Sequence, residues 1–184
     1  ASSYVFSPCG LYPRAVAQGD GDGGGVPPRT LQLFSFMGKF AAKAMLDNRL
    51  VDLPFSPTFL RQLLGKQLSI DDLGDVNPQL AATLRRLQTL AHKRSAILRA
   101  GGRAADVSSA LAALTLDGCQ VGDLGLDFTL PGQPEVELCD GGASVDVTLD
   151  NVGEYVQRVL DVLLCEGVRA QVHAFRGGFS TVFP

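Results

Sequence analysis

Asp123-Leu124-Gly125-Leu126-Asp127-Phe128-Thr129-Leu130-Pro131-Gly132 is the stretch on which the fold class turns. Leu124, Leu126, Phe128 and Leu130 alternate with small or polar residues, the period of a half-buried strand, and Pro131-Gly132 supplies a turn. Glu135-Val136-Glu137-Leu138 and Ser144-Val145-Asp146-Val147 alternate in the same way around Asp140-Gly141-Gly142, which predicts a β-hairpin. The flanking sequence has the period of a helix instead. The expected class is therefore α+β, mainly α-helical, with one small sheet.

Working outward toward the N-terminus, Ser108 to Leu116 is Ala-rich and reads as a helix. Before it, Asn77-Pro78 is a cap followed by Pro at the first helical position, opening a helix with Leu80, Leu84, Leu87 and Ala91 on one stripe. Gly101-Gly102 ends it after Leu98. Ser69-Ile70-Asp71-Asp72 resembles a capping box with Asp in the place of Glu, and Ser56-Pro57 opens another helix that runs to about Gly65. Leu33, Phe34, Phe36, Met37, Phe40, Ala41, Ala44 and Met45 fall at helical spacing and predict a buried helix from Thr30. Residues 1–29, with Ser, Pro and the Gly/Asp cluster Gly19 to Gly25, read as loop or disorder. Toward the C-terminus, Thr148 caps a helix with the stripe Val152, Tyr155, Val156, Val159, Leu160 and Leu163; Gly167 stops it, and a last helix contains Val168 to Phe175.

The bulk numbers exclude several classes. The chain has 184 residues, 46% apolar and 19% charged, with a net charge of -3, which suits one ordinary domain and neither a disordered acidic tail nor an electrostatic nucleic-acid binder. Lys39 and Lys43 interrupt the richest apolar segment, so no run reaches the roughly 18 residues a membrane span needs. Arg85, Arg86, Lys93, Arg94 and Arg99 read as the wet side of their helix rather than as a phosphate-binding face. Cys9, Cys119, Cys139 and Cys165 show no metal-ligand spacing and read as free buried thiols of a reduced, intracellular protein, cytoplasmic or nuclear. A start at Ala1 without Met, and a stop at Pro184 directly after Phe179, Val182 and Phe183, are those expected of an excised piece.

The chemical motifs fail one by one. Pro27-Pro28 follows the Gly-rich cluster where a phosphate loop needs a helix N-terminus, and Gly38-Lys39 and Gly65-Lys66 lack the Ser or Thr that binds magnesium. No nucleophile elbow surrounds a serine, and His92 and His173 sit inside helical patterns. Capping and turn formation explain Asp71-Asp72, and Asp123 with Asp127, more cheaply than acid/base chemistry. No catalytic residue, metal or cofactor is expected, and function falls to a surface.

The order of segments adds a resemblance. Phe36-Met37-Gly38-Lys39, Asn48-Arg49-Leu50-Val51-Asp52-Leu53-Pro54, Asp72-Leu73, Leu126-Asp127-Phe128-Thr129-Leu130-Pro131-Gly132, Glu137-Leu138 with Gly141-Gly142, and Val147-Thr148 come first. Asn151, Glu154-Tyr155, Gly167-Val168 and Phe175-Arg176-x-Gly178-Phe179-x-x-Val182-Phe183-Pro184 follow. The collinear set resembles the N-terminal lobe of a HECT-type ubiquitin-protein ligase. It is most similar to the branch of the ubiquitin-fusion-degradation ligase and the thyroid-receptor-interacting ligase.

The resemblance implies a large helical subdomain from residues 30–74 and 168–184, and a smaller subdomain, 75–167, that docks a ubiquitin-conjugating enzyme, with the strand and hairpin linking the two. The partners it implies are that enzyme, the ubiquitin it carries as a thioester, and protein substrates held by regions outside this chain; nucleic acid and membrane are not among them. Ubiquitin passes to a cysteine of a separate C-terminal lobe by thiolate attack and then to a substrate lysine. That lobe is expected to be absent here, so the fragment alone is expected to be inactive. Leu80 and Leu84 align with two apolar positions that face the conjugating enzyme, and Tyr155 and Val159 with two that are aromatic in better-known members. Each pair has i, i+4 spacing and shares a helical face, so the two faces side by side would form a groove. Read from periodicity alone, all four are core residues. The other class open to the sequence is a non-enzymatic helical adaptor for protein-protein interaction.

Overall fold

The computed structural model describes residues 4–16 and 25–183. Its order is β1 (Tyr4–Ser7), β2 (Gly10–Pro13), α1 (Pro28–Leu46), α2 (Pro57–Leu63), α3 (Ile70–Val76), α4 (Pro78–Ala100), α5 (Ala104–Ala112), β3 (Thr129–Leu130), β4 (Gln133–Glu137), α6 (Val152–Leu164) and α7 (Arg169–Ser180). The class is α+β and mainly helical. The chain divides into two compact units, 1–78 with 161–184 and 79–160. The expected partition placed the second crossing at 167. Residues 161–167 belong with the first unit because backbone groups there are bonded into it. Tyr12 Oη donates to the Leu163 carbonyl (3.3 Å), Gln62 Nε2 to that of Leu164 (2.7 Å), and the Val16 N–H to that of Gly167 (2.9 Å).

In the first unit, α1 and α7 meet through glycines. A methyl at Gly38 would stand 2.0 Å from the Phe175 carbonyl oxygen, and one at Gly178 1.9 Å from that of Ser35, so the two backbones touch where side chains would usually intervene. The expectation of a buried α1 needs correction: it begins at Pro28 and buries only Phe34, Gly38 and Ala42, while Phe36 is 63% exposed. The apolar residues of α1 cover more than one stripe, and the stripe with the smallest side chains is the one α7 can approach. Phe34, Phe55, Phe59 and Phe175 form an edge-to-face cluster with ring centres 5.2–6.3 Å apart.

Residues 1–29 are not wholly loop or disorder, since β1 and β2 pair antiparallel from Tyr4↔Pro13 to Ser7↔Gly10. Part of the Gly/Asp cluster, residues 17–24, lies outside the described residues. What holds β2 is distant in sequence. The Leu11 N–H donates to the Pro54 carbonyl (2.7 Å), the Ser56 N–H donates to the Leu11 carbonyl (3.0 Å), and Tyr12 is buried. Ser56 caps α2 by accepting from the Phe59 N–H, and the capping box of α3 is present, with Asp72 accepting from the Ser69 N–H (2.8 Å). Asp72 also pairs with Arg61 at 2.6 Å.

In the second unit, α4 buries Ala81, Leu84, Leu87 and Leu90. Gly153 of α6 faces Ala91 of α4, where a methyl would meet the alanine Cβ at 3.4 Å, and Arg94 pairs with Asp150. Those two pairings run in opposite chain directions, so α4 and α6 are antiparallel there. The strand expected from Leu124 to Leu130 is only Thr129–Leu130, because Val121–Leu124 is a 3-10 turn and Gly125 takes a left-handed φ of 61°. The hairpin is also displaced: β3 pairs with β4 across Pro131-Gly132, not across Asp140-Gly141-Gly142. Glu137 folds its carboxylate over the latter turn instead, accepting from the Gly141 (3.0 Å) and Ala143 (3.4 Å) N–H groups, and Gly142 lies against the Phe128 carbonyl, where a methyl would stand 2.4 Å away. Both strands and this turn lie inside the second unit. Before α6, the Thr148 carbonyl accepts from the Val152 N–H while Asn151 Oδ1 accepts from the Thr148 N–H (2.7 Å), so the turn is closed by Asn151 rather than by a Thr148 hydroxyl cap.

Candidate functional site

The second unit carries a cleft of about 210 Å³ whose lining includes Leu126, Asp127, Leu130, Pro131, Pro134 and Tyr155. Backbone pairing fixes its wall. The Val147 N–H donates to the Leu126 carbonyl (2.8 Å), the Phe128 N–H to that of Val145 (3.0 Å), and the Leu138 N–H to that of Phe128 (2.8 Å). The Phe128 ring meets Tyr155 edge-on at 5.6 Å. Pro131 and Pro134 carry no N–H, so the rim they form offers an apolar surface without a donor of its own. Asp127 Oδ1 is occupied locally, accepting from the Thr129 N–H (3.1 Å) and hydroxyl (2.5 Å) in an Asx turn. Burial, and then the charge of Asp127, push the Tyr155 phenol up to about 12. The cleft is of mixed character, with apolar walls from Leu126, Leu130 and the two prolines and polar groups from Asp127 and Thr129.

The four residues singled out as a docking face are not placed alike. Leu84 is 1% exposed, Tyr155 2% and Val159 0%, while Leu80 is half-buried. Leu84, Tyr155 and Val159 are thus packed into the second unit, and Leu80 is the one of the four with appreciable exposed area. Tyr155 also lines the cleft, with Leu126, Pro131 and Pro134, which periodicity could not single out. The signal the sequence does carry is the Pro131-Gly132-Gln133-Pro134 run after the alternating stretch, which makes both a turn and the prolines of the cleft.

Charge is segregated along this unit. From residue 104 to 157 the chain carries ten carboxylates and neither Lys nor Arg. Arg86 and Arg94 of α4 reach Asp117 and Asp150 of that stretch, and Glu154 stands 4.0 Å from Arg158. The wet side of α4 is therefore partly neutralised from within the unit.

The thiols need correction too. Cys9, Cys119 and Cys165 are exposed and Cys139 is half-buried; all four are free. Partial burial, with Asp161 and Glu166 nearby and only Arg169 opposing, raises the Cys165 pKa, so its nucleophilic thiolate is scarce at neutral pH. His92 and His173 are on the surface. Among the described residues, no three His, Cys, Asp or Glu side chains gather as a metal site, and no helix is long and apolar enough to cross a membrane.

Comparison with known proteins extends this picture. The family described as HECT-domain (ubiquitin-transferase) matches residues 3–184. The E3 ubiquitin-protein ligase UPL3 of Arabidopsis thaliana is 38% identical over 180 residues, covering 97% of this chain and 9% of the relative. The E3 ubiquitin-protein ligase TRIP12 of Danio rerio is 38% identical over 186 residues, covering 100% of this chain and 9% of the relative. Ubiquitin fusion degradation protein 4 of Saccharomyces cerevisiae is 30% identical over 155 residues, or 84% of this chain and 10% of the relative. The chain thus spans about a tenth of the length of these curated relatives.

Proposed function

The chain belongs to the HECT-domain (ubiquitin-transferase) family, and from that premise we propose that it is part of a ubiquitin-protein ligase in which residues 79–160 dock a ubiquitin-charged conjugating enzyme. The observation that carries the reading is the family match over residues 3–184, in the branch of TRIP12 and the ubiquitin fusion degradation proteins. The cleft whose lining includes Leu126, Pro131, Pro134 and Tyr155 supports a docking role for this unit, to which we also assign the half-buried Leu80 of α4. Leu84 and Val159 serve docking by holding α4 and α6 in place.

The chemistry of the whole ligase is thiolate attack on the thioester, followed by transfer to a substrate amine. We assign the acceptor thiol to a segment outside these 184 residues: burial and the charges of Asp161 and Glu166 raise the Cys165 pKa, and the Cys9 thiol points at the Asp75 carboxylate (4.0 Å), whose charge disfavours a thiolate. Substrate selection is likewise assigned to other parts of the parent. A non-enzymatic adaptor is not favoured, since the relatives named as ligases match the chain along almost its whole length.

The test is an NMR titration of the chain with ubiquitin-conjugating enzymes. Chemical-shift changes confined to 124–134 and to the exposed sides of α4 and α6 are expected, with Leu126→Ala weakening binding about fivefold at an unchanged melting temperature. Shift changes confined to residues 28–60 would remove the docking role of the second unit. A reducible ubiquitin adduct on Cys9, Cys119, Cys139 or Cys165 would overturn the assignment of the acceptor thiol.

A further inference from the structure

Two Asp-Gly bonds fall in the second unit, Asp117-Gly118 and Asp140-Gly141, and the fold treats them differently. Asp117 and Gly118 are the central residues of a tight turn, closed by the Leu116 N–H donating to the Cys119 carbonyl (2.9 Å) and the Cys119 N–H to that of Leu116 (3.0 Å). Both take a positive φ, 53° at Asp117 and 86° at Gly118, the geometry of a two-residue hairpin loop. Little else holds this turn. The Gly118 N–H has no hydrogen-bond partner among the described residues, and the Asp117 side chain is 71% exposed. Apart from its chain neighbours, no heavy atom lies within 4 Å of where a Gly118 Cβ would stand. At Asp140-Gly141 the corresponding N–H is tied, donating to Glu137 Oε2 (3.0 Å), and Gly142 beside it is packed against the Phe128 carbonyl. An Asp carboxyl group that precedes glycine is open to attack by the glycine's own backbone nitrogen, because no side chain shields that nitrogen. The attack needs a free N–H and a backbone able to turn.

We propose that Asp117 is a site of spontaneous isoaspartate formation, and that the fold shields Asp140 from the same chemistry. The Gly118 nitrogen forms a bond to Asp117 Cγ. The carboxylate takes a proton from solvent, the nitrogen gives up its hydrogen, and one carboxyl oxygen leaves with both as water. The product is a cyclic imide. Water then adds to one of its two carbonyls: at Cγ it restores aspartate, and at the main-chain carbon it leaves the chain running through the side-chain carbon, with a free carboxylate on Cα. The water and proton exchanged in the first step are returned in the second, so the mass is unchanged and no other reactant is consumed. Arg86 opposes ring closure, because its guanidinium pairs with Asp117 Oδ1 and the neutral imide forfeits that pair. The rearranged link is longer by one backbone atom, so it no longer fits the two-residue loop, and the paired bonds between Leu116 and Cys119 open.

The experiment ages the folded 184-residue chain at neutral pH and reads isoaspartate at each site by peptide mapping with electron-transfer fragmentation. Asp117 is expected to convert about fivefold faster than Asp140, the factor for an N–H that must first leave a hydrogen bond. In concentrated urea, where neither turn persists, the two sites should convert at nearly the same rate, which ties the difference to the fold and not to the flanking residues. Glu137→Ala frees the Gly141 N–H and should close much of the gap. Arg86→Gln should raise the Asp117 rate about twofold at low salt and less at high salt. Hydrogen exchange of the aged chain should find the Leu116 and Cys119 amides unprotected in the isomerised fraction. Equal rates at the two sites in the folded chain, a faster rate at Asp140, or a gap that persists in urea would overturn the proposal. An unchanged Asp117 rate in Arg86→Gln would overturn the part given to Arg86.

Discussion

The contact between α1 and α7 and the contact between α4 and α6 are built from different materials. The first brings backbone against backbone at Gly38 and Gly178. The second unit rests on large side chains, with Leu84, Leu87, Tyr155 and Val159 all but inaccessible and Gly153 at an ordinary van der Waals distance from Ala91. A glycine contact has no tolerance for an added atom, whereas a side-chain core responds to a removed one. The α1–α7 contact should therefore fail on an added methyl, and the core of the second unit on a removed side chain.

The largest expected effect breaks the glycine contact. Gly178→Ala should destabilise the chain by about 4 kcal/mol, because the new methyl meets the Ser35 carbonyl and the helices must separate. Helix propensity alone would make the same change stabilising by roughly 1 kcal/mol, so the sign read from urea unfolding separates the two accounts. Leu84→Ala tests the other material and should cost about 3 kcal/mol through the cavity left behind. That loss should appear in thermal melts of the isolated chain, with no conjugating enzyme present, as a core residue requires and an exposed docking residue does not.

Asp72→Asn sharpens the comparison through pH. Burial pushes the Asp72 carboxyl up, but the Ser69 N–H, the Arg61 guanidinium and the Ser69 hydroxyl outweigh it and hold the group below its ordinary value of 3.8. A depressed folded pKa contributes stability that is present above the unfolded value and is lost as pH falls through the folded one. The variant should be about 1 kcal/mol less stable at neutral pH, with the difference from wild type shrinking below about pH 4, measured by urea unfolding across that range.

The smallest effect compares the two buried phenols, one in each unit. Burial and the charges of Cys165 and Asp72 raise Tyr12, as burial and Asp127 raise Tyr155 to about 12 from an ordinary 10.0. An acid whose folded pKa is raised stays neutral in the fold while the unfolded chain ionises, so stability should fall as pH rises above about 10. Tyr155→Phe should reduce that alkaline slope in melts between pH 9 and 11. Tyr12→Phe should also lose roughly 1 kcal/mol at neutral pH, because its hydroxyl bridges Gln62 and the Leu163 carbonyl.

The elements that were legible share a common feature: their signals lie within a few residues of each other. Ser56-Pro57, Ser69 to Asp72 and Asn77-Pro78 marked helix starts because a cap and its N–H donors are neighbours in the chain. The stripes of α4 and α6 were legible for the same reason. The hairpin was misplaced because Asp140-Gly141-Gly142 and Pro131-Gly132 both satisfy local turn chemistry, and the choice lay with Glu137, which folds its carboxylate over the first of them. The strand pair at the N-terminus was missed because β2 is held by Pro54 and Ser56, far along the chain.

The candidate site divides in the same way. Periodicity put Leu84, Tyr155 and Val159 on apolar faces, but whether a face meets a core or a partner is decided by what arrives from elsewhere in the chain. The bridge between Asp127 and Asp146 is invisible along the chain because it depends on a pairing across nineteen residues. Class, helix starts and apolar stripes were set by the chain itself, since these depend on neighbouring groups and composition. Which stripe of α1 is covered, which turn makes the hairpin and which distant segments pair were decided only in the tertiary structure, because contacts between distant residues compete, and close packing admits one solution at each.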